Sequence, residues 1–270
     1  MDRLCSPSKR HLLVINYKDG ILKIENIDVE SIAEQVGTPF YCYSSNLMLT
    51  KYRALASTFS AYDATIYFAV KANSNISVIK TLAEVGAGAD VVSIGELKRC
   101  LLAGVPADKI VFAGVGKTRE EIAEALKVGI YQINVESEEE LIVVDDVARS
   151  TNTIAKIGLR VNPDVDAMTH AKITTGRKEN KFGVDLTLAP DLFSKASSLH
   201  SVSLRSLSVH IGSQLIDLSP YEIAYTKVKE MTCHLRSLGY EINHLDLGGG
   251  LGIPYLGDTQ PDLSEYEKII

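Results

Sequence analysis

Short β-prone apolar runs alternate with helix-like segments from Ile66 onward, and this alternation is the strongest constraint on the fold. Seven runs are predicted as strands, at residues 66–71, 89–93, 109–113, 131–135, 155–161, 204–210 and 242–247. Strands that alternate with helices favour right-handed βαβ units and a parallel sheet.

The predicted helices between these strands begin with a recurring signature. Four pairs have the Ser/Thr-x-x-Glu spacing of a capping box, in which each residue accepts a hydrogen bond from the other's backbone amide. They are Ser93 and Glu96, Thr118 and Glu121, Ser137 and Glu140, and Ser219 and Glu222. Glycines at positions 86, 104, 129 and 239 predict the helix ends.

The strand count favours a (β/α)8 TIM-type barrel that lacks its eighth strand. A complete barrel needs eight strands and about 250 residues, whereas 205 residues run from Ile66 to Ile270. We therefore expect the chain to be truncated relative to a longer protein. An open doubly wound sheet, which accommodates seven strands, is the alternative.

The residues before the alternation predict a different arrangement. Leu12–Ile15 and Ile21–Ile24 flank a turn at Lys18-Asp19-Gly20, which is typical of a hairpin. A helix is expected from Asp28 to Gly37, followed by a short strand at Phe40–Tyr43 and a second helix over residues 46–60.

Composition and charge argue against several classes of function. A formal net charge of −6 without a basic cluster gives no sign of nucleic-acid binding. No apolar run approaches the ~20 residues of a membrane span, and Leu12–Ile15 is too short for a signal-peptide core. The four cysteines, Cys5, Cys42, Cys100 and Cys233, lack metal-ligand spacing. We expect reduced thiols in a cytoplasmic protein, and no metal site.

Lys71 is the first candidate site residue, because it ends the apolar run that begins at Ile66. The carboxyl ends of parallel strands are where α/β folds place their chemistry. An amine held there on a rigid element can act as a nucleophile or form a Schiff base. A solvated lysine at the end of an ordinary strand has the same local sequence, so later motifs must decide.

Two further motifs follow the sixth and seventh predicted strands. Gly248, Gly249 and Gly250 offer bare backbone amides that can approach a phosphate closely, and barrel phosphate sites often use the loops after strands seven and eight. His210, in the run His-Ile-Gly-Ser-Gln, could stack on a flat cofactor, act as an acid or base, or be a core histidine. Ser213 could bond a phosphate or cap a turn.

Asp90 lies inside an apolar strand, in the run Gly-Ala-Asp-Val-Val-Ser. A buried carboxylate requires a partner, and we expect that partner to be Arg160, near the end of the fifth predicted strand. Packing and cofactor contact are both open as the role of this pair. Lys71, the histidine and the glycines together call for a ligand with a phosphate, a flat ring and an electrophilic carbon, which pyridoxal 5'-phosphate satisfies.

These motifs, taken in order with Tyr67-Phe68-Ala69-Val70-Lys71-Ala72-Asn73, resemble those of the fold-type III pyridoxal-phosphate-dependent decarboxylases. The resemblance extends over nearly the whole chain from about residue 10. Within the family, His210–Gln214 and the segment Thr169–Gly183 favour a branch distinct from the ornithine and arginine decarboxylases.

The resemblance implies roles for the candidate residues. Lys71 and His210 would be catalytic, with Lys71 attached covalently to the cofactor and His210 stacked on its ring. The phosphate would be held by Ser213, Gly248, Gly249 and Gly250, and Asp90 and Arg160 would lie beneath or beside the cofactor. Residues 1–40 would contribute strands to a second β domain that is otherwise missing, and residues 41–270 would form the truncated barrel.

The resemblance also implies a reaction and a partner. The family branch removes carbon dioxide from meso-2,6-diaminoheptanedioate to give L-lysine, and known members are head-to-tail homodimers with shared active sites. Ornithine, arginine or carboxynorspermidine are alternative substrates, and a non-catalytic pyridoxal-phosphate-binding regulator or a structural fragment are alternative functions. The family's Glu-Pro-Gly-Arg segment, whose glutamate pairs with the pyridine nitrogen, does not occur here. We therefore expect this chain alone to be inactive or nearly so.

Overall fold

The computed structural model describes residues 14–165, 182–255 and 260–270. The chain divides into two compact units, Met1–Ser57 and Thr58–Ile270. The assignment of residues 1–40 to a second β domain stays a prediction. Among the described residues, no helix has the length and apolar character that a membrane span requires.

The first unit contains a small antiparallel sheet, as the turn at Asp19-Gly20 predicts. Strands β1 (Ile15–Lys18), β2 (Ile21–Ile24) and β3 (Ile27–Asp28) pair in that order. Both turn residues have positive φ, which matches the twist of a tight hairpin. The helices are α1 (Val29–Val36) and α2 (Ser45–Thr58). The predicted strand at Phe40–Tyr43 is wrong, because this stretch is irregular and pairs with no described strand.

The second unit contains one parallel sheet, in which all seven predicted strands are confirmed. They are β4 (Tyr67–Ala69), β5 (Gly88–Val91), β6 (Ile110–Phe112), β7 (Gln132–Val135), β8 (Ala155–Asn162), β10 (Val202–Val209) and β11 (His244–Asp246). A two-residue strand, β9 (Val184–Asp185), pairs with β8. It is too short for a sequence pattern to reveal.

The order of the strands distinguishes a barrel from a doubly wound sheet. From β4 to β11, neighbours in the sheet follow the order of the chain, apart from β9, which lies off this path. A doubly wound sheet reverses its order at a switch point, whereas a barrel winds in one direction. The sheet is therefore a partial (β/α)8 barrel. The helices between the strands are α3 (Ile76–Ala83), α4 (Ile94–Leu102), α5 (Arg119–Val128), α6 (Glu138–Ser150), α7 (Ala189–Ser197) and α8 (Ser219–Ser237), and α9 (Leu263–Ile269) follows β11.

The two faces of this sheet differ in polarity. On the outer face, residues such as Ile133, Leu159 and Leu207 join the buried hydrophobic core. On the inner face, alternate residues of the same strands are polar, such as Gln132 and Asn134 of β7. Nε2 of Gln132 donates a hydrogen bond to Oδ1 of Asn134 at 2.6 Å. Gly158 makes room for them, because a Cβ there would lie 2.3 Å from Nε2 of Gln132.

Three of the four predicted capping residues are confirmed. Ser93, Thr118 and Ser137 each accept a hydrogen bond from the backbone amide three residues later, and Thr118 with Glu121 forms the complete reciprocal box. The fourth prediction is wrong. Ser219 is the first residue of α8 rather than its cap, and its hydroxyl donates to Asp217 at 2.8 Å.

We predict that Thr118→Ala lowers the free energy of unfolding by about 1 kcal/mol, because it leaves a helix N-terminal amide without its acceptor. Ser219→Ala is the matched control, since its exposed hydroxyl caps no helix, and we expect a change within about 0.5 kcal/mol. Urea unfolding of both variants measures the difference. Equal losses in the two variants would contradict the assignment of the cap.

Candidate active site

Lys71 lies at the carboxyl end of β4, in a single 3-10 turn at Val70–Ala72. Val70 is fully buried and anchors this turn, whereas the side chain of Lys71 is exposed. Its amine makes no hydrogen bond or salt bridge to any described residue. The structure therefore presents this amine on a rigid element, as covalent attachment of a ligand requires.

The glycine turn Gly248–Gly250 follows β11 and packs against the loop after β10. Gly248 and Gly250 have φ of 69° and 101°, and a Cβ at these positions would lie 2.2 Å from the carbonyl oxygen of Val209 and 1.9 Å from that of Gly212. Because these contacts are with backbone, no side chain can be accommodated there. A Cβ at Gly249, by contrast, would meet no described atom within 4 Å.

Ser213 follows Gly212 and is exposed. The loop that contains Ser213 and the glycine turn run side by side, since Leu215 forms a parallel bridge with Leu251 and its amide donates to the carbonyl of Gly250 at 2.9 Å. The loops after β10 and β11 are therefore fixed to each other. Gln214 reinforces this pairing by accepting a hydrogen bond from the amide of Ile253 at 3.1 Å.

The three backbone amides of the glycine turn differ in their hydrogen-bond acceptors. Gly248 donates to Oδ1 of Asp246 at 3.0 Å, and Gly249 donates to Nδ1 of His210 at 3.3 Å. The half-buried amide of Gly250 has no acceptor among the described residues. An unsatisfied donor of this kind is suited to an anionic oxygen.

His210 follows β10 and is partly buried. Its pKa falls from 6.5 to about 4, first because the ring is buried and then because the positive charges of Arg160 and Lys71 disfavour a cation. The ring is therefore neutral near pH 7. Since Nδ1 accepts the bond from Gly249, the proton resides on Nε2.

Asp90 lies on β5, and its carboxyl group is partly buried. Burial raises its pKa from 3.8 to about 7, and the negative charge of Asp246 adds to this, whereas the charges of Lys71 and Arg160 lower it. These two cations act on both Asp90 and His210. The predicted site residues on four different strand ends therefore face a common region.

The predicted pairing of Asp90 with Arg160 is wrong. Arg160 instead donates to Glu136 at 2.9 Å, and their side chains are 12% and 2% exposed. Glu136 directly follows β7, the strand beside β8, so the two side chains meet across neighbouring strand ends, whereas Asp90 lies on β5. The guanidinium also lies 4.9 Å from the ring centroid of Phe182.

Sequence reasoning missed Glu136 and its surroundings. This carboxylate also accepts hydrogen bonds from the amides of Gly114 and Gly183, so it joins three loops at the rim of the barrel. Beside it, the buried amine of Lys117 bonds Glu140 and two backbone carbonyls. No local motif marks Glu136, because its partners Gly114, Arg160 and Gly183 lie 22, 24 and 47 positions away in the chain.

Asp246, two residues before the glycine turn, is not among the residues that the sequence predicts for the site. Its Oδ2 accepts hydrogen bonds from the amide nitrogen of Asn134 at 2.8 Å and from the hydroxyl of Ser208 at 2.9 Å. Gln132 extends this network to His244 at 2.5 Å. The spacing of Asp246 two residues before Gly248 is an Asx-turn signal that could have identified it.

The amine and the hydrogen-bond donors of this site are those that pyridoxal phosphate requires. The exposed amine of Lys71, which bonds no described residue, can react with an aldehyde. The amide of Gly250 and the hydroxyl of Ser213, on the loop paired with the glycine turn, can bond a phosphate. The neutral ring of His210 lies beside the same turn. The segment Thr169–Gly183, which favours one branch of the family, lies outside the described residues up to position 181.

Comparison with known proteins agrees with this chemistry. The model of the pyridoxal-binding domain of pyridoxal-dependent decarboxylases matches residues 46–270. The chain therefore belongs to the pyridoxal-dependent decarboxylase family, an enzyme family whose cofactor is pyridoxal phosphate.

The similar curated proteins are more specific. The chain is 44% identical over 256 residues to diaminopimelate decarboxylase of Pseudomonas fluorescens and 45% identical over 258 residues to that of Aquifex aeolicus. Each alignment covers 94% of this chain and 62% or 61% of the relative. The chain thus spans about three fifths of the length of these relatives.

Solved structures give the same result. The diaminopimelate decarboxylase of Helicobacter pylori, complexed with L-lysine, superposes with a TM-score of 0.87 at 40% identity, over 90% of this chain and 61% of that one. The lysine/ornithine decarboxylase of Vibrio vulnificus is 23% identical with a TM-score of 0.74, over 88% of this chain and 60% of that one, and so shares the fold.

We predict that the free energy of unfolding of the parent chain falls as the pH rises, and that Asp90→Asn removes this fall. Between pH 3.8 and about 7, the folded state holds a proton on Asp90 that the unfolded state releases. Stability therefore falls as the pH rises through this window, by at most about 1.4 kcal/mol per pH unit. Urea unfolding from pH 4 to 8, without added pyridoxal phosphate, measures the difference between variant and parent. A difference that does not grow with pH would refute the shifted pKa.

Proposed function

We propose that this chain is the pyridoxal-phosphate-binding part of a diaminopimelate decarboxylase, which releases carbon dioxide from meso-2,6-diaminoheptanedioate and yields L-lysine. The observation that carries the proposal is the exposed amine of Lys71, which bonds no described residue, at the same barrel edge as the glycine turn. The identities of 44% and 45% to diaminopimelate decarboxylases support the substrate.

The proposed roles follow from the geometry of each residue. The exposed amine of Lys71, at the carboxyl end of β4, would hold the cofactor through its aldehyde group. Pyridoxal phosphate, when bound, supplies an electron-accepting ring that stabilises the negative charge left by the lost carboxylate. The amide of Gly250 and the hydroxyl of Ser213 would bind the phosphate, and Gly248 and Gly249, whose amides bond Asp246 and His210, would line the same site.

His210, Asp90 and Arg160 shape the environment of the ring in this proposal. A neutral imidazole can pack flat against an aromatic ring without placing a cation on it. Asp90, whose pKa is about 7, can hold or release a proton near neutral pH. Arg160 is fixed by Glu136 and provides a positive charge beside the cofactor.

We further propose that the whole protein is a cytoplasmic homodimer with active sites shared between subunits. The resemblance to the family supports the dimer, and the free thiols of Cys42, Cys100 and Cys233 support a reducing compartment. Cys5 lies outside the described residues.

Covalent attachment at Lys71 is the direct test of cofactor binding. We predict that incubation with pyridoxal 5'-phosphate and reduction with borohydride leaves a mass adduct on the peptide that contains Lys71, because the exposed amine of this residue is available to react. Lys71→Ala abolishes the adduct. Lys80→Ala, which removes an exposed lysine of α3, is the matched control and retains it. An adduct that persists in Lys71→Ala would overturn the proposed anchor.

The substrate is tested by carbon dioxide release from diaminopimelate, ornithine and arginine. The assay uses the 270-residue chain, alone and extended by the part of the Aquifex aeolicus relative that it does not match. We predict that the chain alone has little activity and that the extended form prefers diaminopimelate on the order of a hundredfold or more, because a site built for a second carboxylate rejects substrates without one. Faster turnover of ornithine or arginine would reassign the substrate, and cofactor binding without turnover of any would favour a regulator.

A further inference from the structure

We propose that Tyr221 and Asp246 are positioning residues, which orient the amides of the Gly248–Gly250 turn for a phosphate without contacting it. This inference rests on the proposed function, because it concerns the same phosphate site. It adds two residues to that site, one on helix α8 outside the sheet and one inside the barrel.

Tyr221 orients the third amide of the turn from outside the sheet. The fully buried tyrosine donates from its hydroxyl to the carbonyl oxygen of Gly249 at 3.1 Å. In a planar trans peptide the carbonyl and the following N–H point in opposite directions. The amide of Gly250 therefore points away from α8, and it is the amide of the turn that has no acceptor among the described residues.

Tyr225 acts on the first peptide of the turn in the same manner. Its hydroxyl donates to the carbonyl of Leu247 at 2.9 Å, so the amide of Gly248 points to the opposite side, where Oδ1 of Asp246 accepts it at 3.0 Å. The two tyrosines are one helical turn apart on α8. Both ends of the glycine turn are thus oriented by the same helix.

Position 246 requires a carboxylate rather than a carboxamide, because each of its described partners donates a hydrogen bond to it. Asn134 and Ser208 donate to Oδ2, and Gly248 donates to Oδ1. An asparagine offers one acceptor oxygen and would direct an NH2 group at one of these donors. The carboxylate therefore ties the glycine turn to the interior faces of β7 and β10.

The consequence of both contacts is preorganisation. A turn of three glycines has more backbone freedom to lose on binding than any other sequence. Contacts that hold the turn before the ligand arrives reduce this cost. Because they act on the phosphate-binding turn, they favour a phosphorylated ligand over the same ligand without phosphate.

The experiment compares the binding of pyridoxal 5'-phosphate with that of pyridoxal, which has the same aldehyde but no phosphate. Dissociation constants are measured by absorbance titration on the 270-residue chain. Tyr221→Phe removes one hydroxyl, and we predict a threefold to tenfold weaker affinity for pyridoxal phosphate, roughly the effect of one hydrogen bond. Asp246→Asn weakens it by about tenfold or more, because it breaks bonds to a charged group. Affinity for pyridoxal is unchanged in both.

Two matched controls and a milder variant keep the test independent of folding. Tyr266→Phe removes a hydroxyl that bonds Tyr225 rather than the glycine turn, and it leaves both affinities unchanged. Ser208→Ala removes one donor to Asp246, whereas Ser206→Ala on the same strand removes a buried hydroxyl that bonds a backbone carbonyl. Of these two serine variants, Ser208→Ala alone weakens the binding of pyridoxal phosphate.

Each other outcome overturns a distinct claim. A parent chain that binds neither ligand refutes the proposed function itself. A parent chain that binds both equally refutes the phosphate role of the glycine turn. If the parent prefers pyridoxal phosphate and the variants lose affinity for both ligands alike, or for neither, Tyr221 and Asp246 do not position the turn for phosphate.

Discussion

The arrangement of the candidate site depends on the carboxylate of Asp246, which gathers donors from three separate strand regions. It accepts bonds from Asn134 of β7, Ser208 of β10 and Gly248 of the turn after β11. A polar group in a protein interior stabilises the fold when its bonds are complete and destabilises it when they are not. The interior of this partial barrel therefore contains a connected polar network. Most barrels of this type are filled instead by layers of branched apolar side chains.

Glu136 has a similar role at the rim. A buried carboxylate is costly unless it is paired and bonded, and here it has Arg160 and the amides of Gly114 and Gly183 as partners. Together, Asp246 and Glu136 link β7, β8, β10 and the turn after β11, which carry Arg160, His210 and the glycines. The apolar outer face, packed against the helices, supplies most of the stabilisation by burial.

Much of the fold could be predicted because its signals are local. Strand type follows from short apolar runs, and helix starts at Ser93, Thr118 and Ser137 follow from a side chain that bonds an amide three residues away. The same spacing was misleading at Ser219, where Asp217 bonds the serine instead. The strand predicted at Phe40–Tyr43 is absent because no described strand pairs with this stretch. β-prone residues form a strand only when another strand pairs with them.

The sequence by itself determined the alternation of strands and helices, the glycine turn and the lysine that follows β4, because each depends on residues that are neighbours in the chain. The tertiary structure decided which side chains meet. It paired Arg160 with Glu136 rather than Asp90, and it brought Tyr221 and Asp246 to opposite sides of the glycine turn. It also bonded Asp246 to Asn134, which lies 112 positions away in the chain. The winding of the sheet, rather than any local pattern, brings such residues together.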